Sequence, residues 1–286
     1  IKMTKYKKGL ILAIIGVTLM SFESPAIKFV KASGFDYIFF FGLFLFMSSI
    51  FISVIFIKPK KIKYVFLADS KGTILAALAL GLSNIFFIYA VKFAGIALPV
   101  ILLSSAPLFC AILDKIIFKK STPKSIFIAT FFVAIGIIIV VYERLDLNSI
   151  IGVILSFLCV ISFSILFVLL SAHKNVSRTL AISGGGLVMF MISLPFFKFE
   201  ASLSDIITIA IVGIFITPAS RILIGRSSLY LIPAQLGLIA ILEAILAPFW
   251  GFVFLGEDIS SSLIIGASII IVSIAINTII IAKKST

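Results

Sequence analysis

Ten stretches of about twenty predominantly apolar residues run through this chain with little between them, and nothing else in it restricts the fold so strongly. They lie at 9–30, 35–57, 72–91, 95–117, 125–142, 148–171, 179–197, 206–226, 230–254 and 261–282. Wound as α-helices, runs of that length match the roughly 30 Å hydrocarbon core of a bilayer. Of the 286 residues, 62% are apolar and 12% charged, whereas soluble domains carry about 25% charged residues. Too few polar side chains remain to cover a water-facing globule. An all-α integral membrane protein of ten transmembrane helices is therefore expected. The same balance, with 30 Phe, excludes a disordered chain.

A net charge of +13 would suit a nucleic-acid binder if the basic residues shared one soluble face. They instead form short clusters between apolar runs, so nucleic acid is not an expected partner. With the N-terminus placed inside, nineteen of the 24 Lys and Arg fall in inward loops; only Lys28, Lys31, Lys92, Arg144 and Lys198 lie outward or at that edge. The acids run the other way, with Asp36, Glu143, Asp146, Glu200, Asp205, Glu257 and Asp258 outside against Asp69 and Asp114 inside. This is the positive-inside pattern, and it predicts both termini on the cytoplasmic side of a bacterial-type inner membrane. Lys5, Lys7 and Lys8 precede the first run as in a signal peptide. The run is too long for that and no small-residue cleavage pattern follows, so it is read as a helix. Cys110 and Cys159 both lie within apolar runs and imply no disulfide framework, and with a single His they make no usual zinc site. No metal or cofactor is expected.

The ten runs divide at Glu143–Asn148 into halves of five, residues 1–145 and 146–286. An odd number of helices per half puts the halves in opposite orientations, the inverted-repeat arrangement of many secondary transporters. Residues 95–117 and 230–254 echo one another, each starting near a proline (Pro99, Pro233) and carrying an internal Ala106-Pro107 or Ala247-Pro248. Pro25, Pro107, Pro218 and Pro248 lie well inside their runs. Each removes one helical hydrogen bond and frees the carbonyl four residues earlier, at Ser21, Leu103, Ile214 and Ala244. In lipid those carbonyls need a neighbouring helix or a wet cavity. Both readings stand, kinks filled by neighbours or a polar cavity among helices 1, 4, 8 and 9.

The sequence Leu242-Glu243, Ala247-Pro248, Leu255-Gly256-Glu257 and Ile265-Gly266-Ala267 resembles the second-repeat signature of EamA-type carriers, within the drug/metabolite transporter superfamily. The resemblance covers the whole chain. It implies two EamA repeats, both termini inside, a Lys near the end of helix 1 (here Lys28), and a central cavity lined by helices 1, 3, 4, 6, 8 and 9. It also implies a secondary transporter exporting amino acids or similar small metabolites by alternating access. The chain departs from the family pattern at Met20-Ser21, where Trp-Gly is common, and around Phe41-Gly42, which lacks the usual Arg. It departs again at Lys119-Lys120, where the second repeat has Gly256-Glu257.

Glu23 is the most informative residue, an acid in mid-helix where insertion scales assign a cost of about 2.5–3.5 kcal/mol. It reads as a protonated carboxyl bonded to another helix, or as a group that binds an amine or carries a proton; Ser21, Ser24 and the Pro25 kink beside it favour a cavity. Glu243 lies in mid-helix 9 with Gln235 two turns earlier on nearly the same face, and reads as cavity lining or as a tie between the halves. Arg221, just after Pro218, either snorkels to the cytoplasmic edge or pairs with the carboxylate of Glu243 or of a substrate. Asn84 and Tyr89 occupy comparable depths on helix 3. Lys28 snorkels outward or meets a substrate carboxylate, and Trp250, the only Trp, is a candidate cavity residue that reads as packing rather than as a substrate platform. Gly184-Gly185-Gly186 is not followed by the Lys-Ser/Thr of a phosphate loop and is expected to permit close helix packing. His173 reads as a solvated loop residue. No Ser-His-Asp or metal constellation appears, so a monomeric carrier is expected rather than an enzyme, with the bilayer, a small-molecule substrate and protons as its partners. The rival readings are efflux of lipophilic cations, a lipid-carrier flippase, and a subunit of a membrane complex.

Overall fold

The computed structural model describes residues 5–57, 59–119, 124–142, 147–172, 175–227, 230–231, 233–258 and 260–285. The first apolar run forms two helices, α1 (Lys5–Met20) and α2 (Glu23–Phe29), followed by α3 (Gly34–Ile57), α4 (Pro59–Ala68) and α5 (Ser70–Ala94). The next run is again split, into α6 (Ala97–Leu103) and α7 (Ala106–Phe118), ahead of α8 (Lys124–Tyr142), α9 (Leu147–Ala172) and α10 (Arg178–Ser193). A π-helical stretch, Ile211–Ile216, then joins α11 (Leu203–Ala210) to α12 (Thr217–Ser227), and α13 (Pro233–Leu255) and α14 (Ser261–Ser285) complete the chain. No strand occurs among the described residues.

Helix lies across every expected span. Six helical runs are long and apolar enough to cross a membrane, and a seventh joins them if Ala97–Leu103 and Leu108–Ile117, bent by 40°, count as one crossing. Shorter apolar helices occupy Ser125–Val140, Leu242–Leu255 and Ser261–Asn277. The outer surface is apolar, with Phe51 67%, Phe131 64% and Phe215 66% exposed, as a lipid-facing surface requires. This is an all-α, multi-pass membrane-protein fold. Helix α4 was not anticipated, because its lysines break the apolar pattern and read as a loop.

The prolines act differently from one another. At Pro25 and Pro107 the helix breaks, through Ser21-Phe22 and Ser104-Ser105. The turn serines cap their own carbonyls: Ser21 Oγ donates to Thr18 O at 2.7 Å, Ser104 Oγ to Ile101 O at 2.6 Å and Ser105 Oγ to Leu102 O at 2.6 Å. At Pro218 the helix widens into the π stretch. At Pro248 the helix is not interrupted, and α13 runs on from Pro233 to Leu255. One lost bond in a long helix is tolerated when the bonds on either side persist.

Small residues set the helix pairings, since lipid gives no hydrophobic drive for helices to meet. Helices α3 and α10 cross at Gly42 and Gly186, where a Cβ on Gly42 would stand 2.8 Å from Gly186 O. Helices α8 and α14 cross the same way, at Gly136 and Gly266. Gly184 meets Ala77 and Gly185 meets Leu80, so the three-glycine run seats α10 between α3 and α5. Gly152 of α9 lies on Ala94 of α5, and Gly16 of α1 on Ser220 and Leu223 of α12. The buried core divides accordingly. One cluster centres on Tyr37, Phe41, Ile88 and Met189, and another on Leu98, Ile101, Val133 and Ile270.

Candidate functional site

The break in the first span puts Glu23 at the first position of α2, where the helix's positive end favours an acid. Trp250 holds this break in place from α13. Its Nε1 donates to Ser21 Oγ at 3.0 Å, and its ring stacks on Phe22 with centroids 4.9 Å apart. The packing role read from the sequence therefore has a definite object.

Across from Glu23, the π stretch positions two further side chains. The Thr217 N–H donates to Val212 O rather than to Gly213 O, one residue farther back than an α-helix allows. Pro218 offers no N–H at all. The released Gly213 O accepts instead from Ser48 Oγ of α3 at 3.0 Å. Thr217 and Arg221 follow one turn apart on the same face. Arg221 Nη2 donates to Asn84 Oδ1 of α5 at 3.2 Å, while Asn84 Nδ2 contacts Met189 Sδ at 3.7 Å. The guanidinium thus turns into the bundle, and the snorkelling reading of Arg221 does not hold.

Charges from three separate spans meet here. Glu23 lies in the field of Arg221 with the Thr217 hydroxyl alongside it, and Glu243 of α13 lies in the fields of both Glu23 and Arg221. An internal cavity borders this group, lined by Glu23, Tyr37 and Asn84 on its polar side and by Ile27, Phe41, Phe87, Ile88 and Val212 on its apolar side. It has room for about one water molecule. Among the described residues, Glu23 Oε1, Tyr37 OH, Thr217 Oγ1 and Arg221 Nε are buried and without a hydrogen-bond partner. Each such group costs about 1–3 kcal/mol in lost solvation, so four together stand out against a rule of near-complete satisfaction.

A second polar network closes one end of the bundle, the end opposite the start of α1 and the finish of α14. Glu257 Oε2 accepts from Ile96 N at 3.2 Å, while Oε1 lies 4.0 Å from Lys28 Nζ. Lys92 Nζ donates to Val30 O at 3.2 Å and Ala32 O at 2.8 Å and sits over the Tyr37 ring. Asp205 accepts from Lys31 N, Ser202 N and Ser202 Oγ. Asp36 accepts from Lys198 N at 3.0 Å and Glu200 N at 2.8 Å. Phe39 stacks on Phe197 at 3.8 Å beside this seam.

Of the residues expected to line a cavity, Glu23, Asn84, Arg221 and Glu243 come together. Lys28 belongs to the closed end instead. Tyr89 stands apart, its ring packed on Gly34 and Phe35, and Ser24 is buried within α2. The side chains of Gln235 and Pro107 lie outside what is described, as does His173. Tyr37 and Thr217 were missed. A hydroxyl one turn before a buried Arg and next to a proline was a usable signal for Thr217; a Tyr among six aromatic neighbours offered none.

No family profile matches this sequence, and no curated protein matches it. Thirteen solved chains do match in structure. One, described only as "Crystal structure of protein", superposes with a TM-score of 0.67 over 96% of this chain and 98% of its own, at 12% identity. At that identity the likeness concerns the fold alone.

Proposed function

We propose that this chain is a secondary carrier of the EamA type that exports amino acids or similar small metabolites by alternating access. In this reading it is built from two inverted five-helix repeats in a bacterial-type inner membrane, with both termini cytoplasmic. One observation carries it: Glu23, Arg221 and Glu243, from three separate spans, lie in one another's fields, and beside them Glu23 Oε1, Tyr37 OH, Thr217 Oγ1 and Arg221 Nε are enclosed without a hydrogen-bond partner. Intramembrane ionisable groups of this kind mark substrate and ion pathways. A zwitterion carries one charge of each sign, and the site offers carboxylates for its cation and a guanidinium for its anion.

The helix pairings support the repeat. An inversion would relate α3 to α10, α8 to α14, α5 to α11–α12, and α1–α2 to α9. Pairs α3–α10 and α8–α14 then map onto themselves, and both cross glycine on glycine. Pair α5–α9 maps onto α1–α12, and both meet at a glycine, Gly152 against Ala94 and Gly16 against Ile224, Leu223 and Ser220.

A cavity with room for one water is too small for an amino acid, so loading requires the helices to part. The positive-inside pattern makes the closed end periplasmic, and the substrate then enters from the cytoplasm. Glu23 is the residue we assign to proton coupling. The guanidinium beside it disfavours the lipophilic-cation reading, and the enclosure of the site disfavours a groove open to lipid. The test is uptake and efflux in proteoliposomes against radiolabelled amino acids, nucleosides and quaternary cations. Amino-acid counterflow supports the reading; movement of quaternary cations alone, or of none of the panel, overturns it.

A further inference from the structure

Three buried oxygens at the site have no hydrogen-bond partner: Glu23 Oε1, Tyr37 OH and Thr217 Oγ1. Tyr37 is 1% exposed and Thr217 is fully buried, so bulk water does not satisfy them. They converge on one place. Tyr37 and Glu23 line the same cavity, and the Thr217 hydroxyl lies alongside the Glu23 carboxyl. Each arrives on a different span. Tyr37 sits at the start of α3, Glu23 heads α2 after the proline break, and Thr217 follows the π stretch. The Thr217 hydroxyl is close enough to the Glu23 carboxyl to interact with it, but neither its Oγ1 nor Glu23 Oε1 nor Tyr37 OH completes a well-formed hydrogen bond within the chain, as Ser48 does to Gly213 O nearby.

From this geometry we infer that Glu23, Tyr37 and Thr217 form a three-oxygen seat for a primary ammonium group, the –NH3+ of the transported substrate. The inference rests on the carrier reading and narrows it. An ammonium presents three N–H donors around one nitrogen, and the seat presents three oxygens able to accept them, one of them charged. Tyr37 and Thr217 are then substrate-binding residues alongside Glu23. Arg221 Nε, also without a partner, is the donor left for the anionic end of the same molecule. The rest of the cavity wall is Ile27, Phe41, Phe87, Ile88 and Val212, which suits an apolar side chain. Recognition by N–H donors separates this site from one for quaternary or lipophilic cations, which bind through charge and aromatic faces without donors.

The seat makes two demands that a structural role does not. Binding must fall with each N–H replaced by methyl. Hydroxyls with no protein partner must also be dispensable to the fold, so deleting them leaves stability unchanged or raises it. The probes are L-leucine, N-methyl-L-leucine and N,N,N-trimethyl-L-leucine, measured by equilibrium binding to the purified full chain and by counterflow in liposomes. Thermal melting is followed for wild type, Tyr37→Phe and Thr217→Val. Expected is loss of about tenfold in affinity per methyl step. Each variant should lose about tenfold for L-leucine, bind the trimethyl compound as wild type does, and melt at or above the wild-type temperature. If L-leucine binds but methylation and both variants leave affinity unchanged, the seat is overturned while the carrier reading stands. A variant that melts lower with unchanged affinity makes its hydroxyl a structural partner of Glu23 and likewise overturns the seat. If L-leucine binds as expected but never crosses the bilayer, the carrier reading fails and the seat remains. If none of the probes binds wild type, the seat is overturned.

Discussion

The chain keeps acids in two places and treats them in opposite ways. At the closed end, Asp36 is fully buried yet accepts two backbone N–H groups, and Asp205 accepts three hydrogen bonds, two of them from Ser202. Glu257 is likewise engaged, by Ile96 N and Lys28. In mid-bundle, Glu23 Oε1 is as deeply enclosed and has no partner at all. A carboxylate that accepts several N–H bonds is locked, because losing any one leaves a buried donor unpaired. One with an unpartnered oxygen has acceptor capacity left over. The first group ties loops together; the second waits for something that is not part of the chain.

Removing the charge from each group separates the two, and the largest effect is expected at Glu23. Truncating one member of a buried charge pair costs about 2–5 kcal/mol when a ligand provides the other. Glu23→Gln should therefore lower substrate transport by about a hundredfold or more and abolish accumulation driven by a pH gradient, with little change in melting temperature. Counterflow under an imposed gradient measures it. A Gln variant that still accumulates substrate removes Glu23 from the coupling step.

Asp36→Asn should do the reverse. The amide keeps one acceptor but turns its NH2 toward the other backbone N–H, so at least one of the charge-assisted bonds to Lys198 N and Glu200 N is lost, about 1.5–3 kcal/mol of stability. Denaturation of the detergent-solubilised protein should register that loss, while substrate affinity in the surviving folded fraction stays at the wild-type value. An affinity loss without a stability loss would make Asp36 part of the transport site and erase the contrast.

Arg221 sits between these extremes, because it has one partner, Asn84, and one unpartnered nitrogen. Arg221→Gln keeps a donor for Asn84 Oδ1 and removes the positive charge. Affinity for a zwitterion should drop about tenfold, while a cation such as leucinamide binds as well as before or better, since a like charge has left. Equal losses for both would mean that the guanidinium only holds Asn84 in position.

How much of this could be read from the sequence depended on whether the feature was local. Apolar runs and intrahelical prolines are local, since one bilayer thickness and one missing N–H suffice to place them. The prolines beside Ser21-Phe22 and Ser104-Ser105 were visible for that reason, as kinks rather than as the full breaks that form. Glu23 was visible because an acid in mid-span is conspicuous whatever surrounds it. Arg221 was legible as a charge but not in its direction, which the π stretch sets by shifting the register at Thr217. Lys28 looked free because Glu257 lies far along the chain. Tyr37 and Thr217 are ordinary residues for a membrane helix. That their hydroxyls are unpaired is a property of the assembled bundle, and no pattern along one helix encodes it.

The smallest effect tests whether the closed end is a permanent tie or a latch. Lys28 and Glu257 are 4.0 Å apart with side chains 37% and 23% exposed, so water and salt screen the pair. Such pairs contribute about 0.2–1 kcal/mol. If the pair stabilises only the closed state, Lys28→Gln shifts the open-to-closed ratio by that same free energy, at most about fivefold. A permanent tie would instead transfer the whole loss to global stability. With Cys110 and Cys159 replaced by Ser, a single cysteine at Phe35, beside the seam, reports access from the closed end by its rate of labelling with a membrane-impermeant maleimide. Lys28→Gln should speed that labelling up to fivefold, and rising salt should speed the wild type toward the same rate by weakening an exposed pair. Unchanged labelling together with a lowered melting temperature would leave the closed end as structure, and alternating access would then have to open elsewhere.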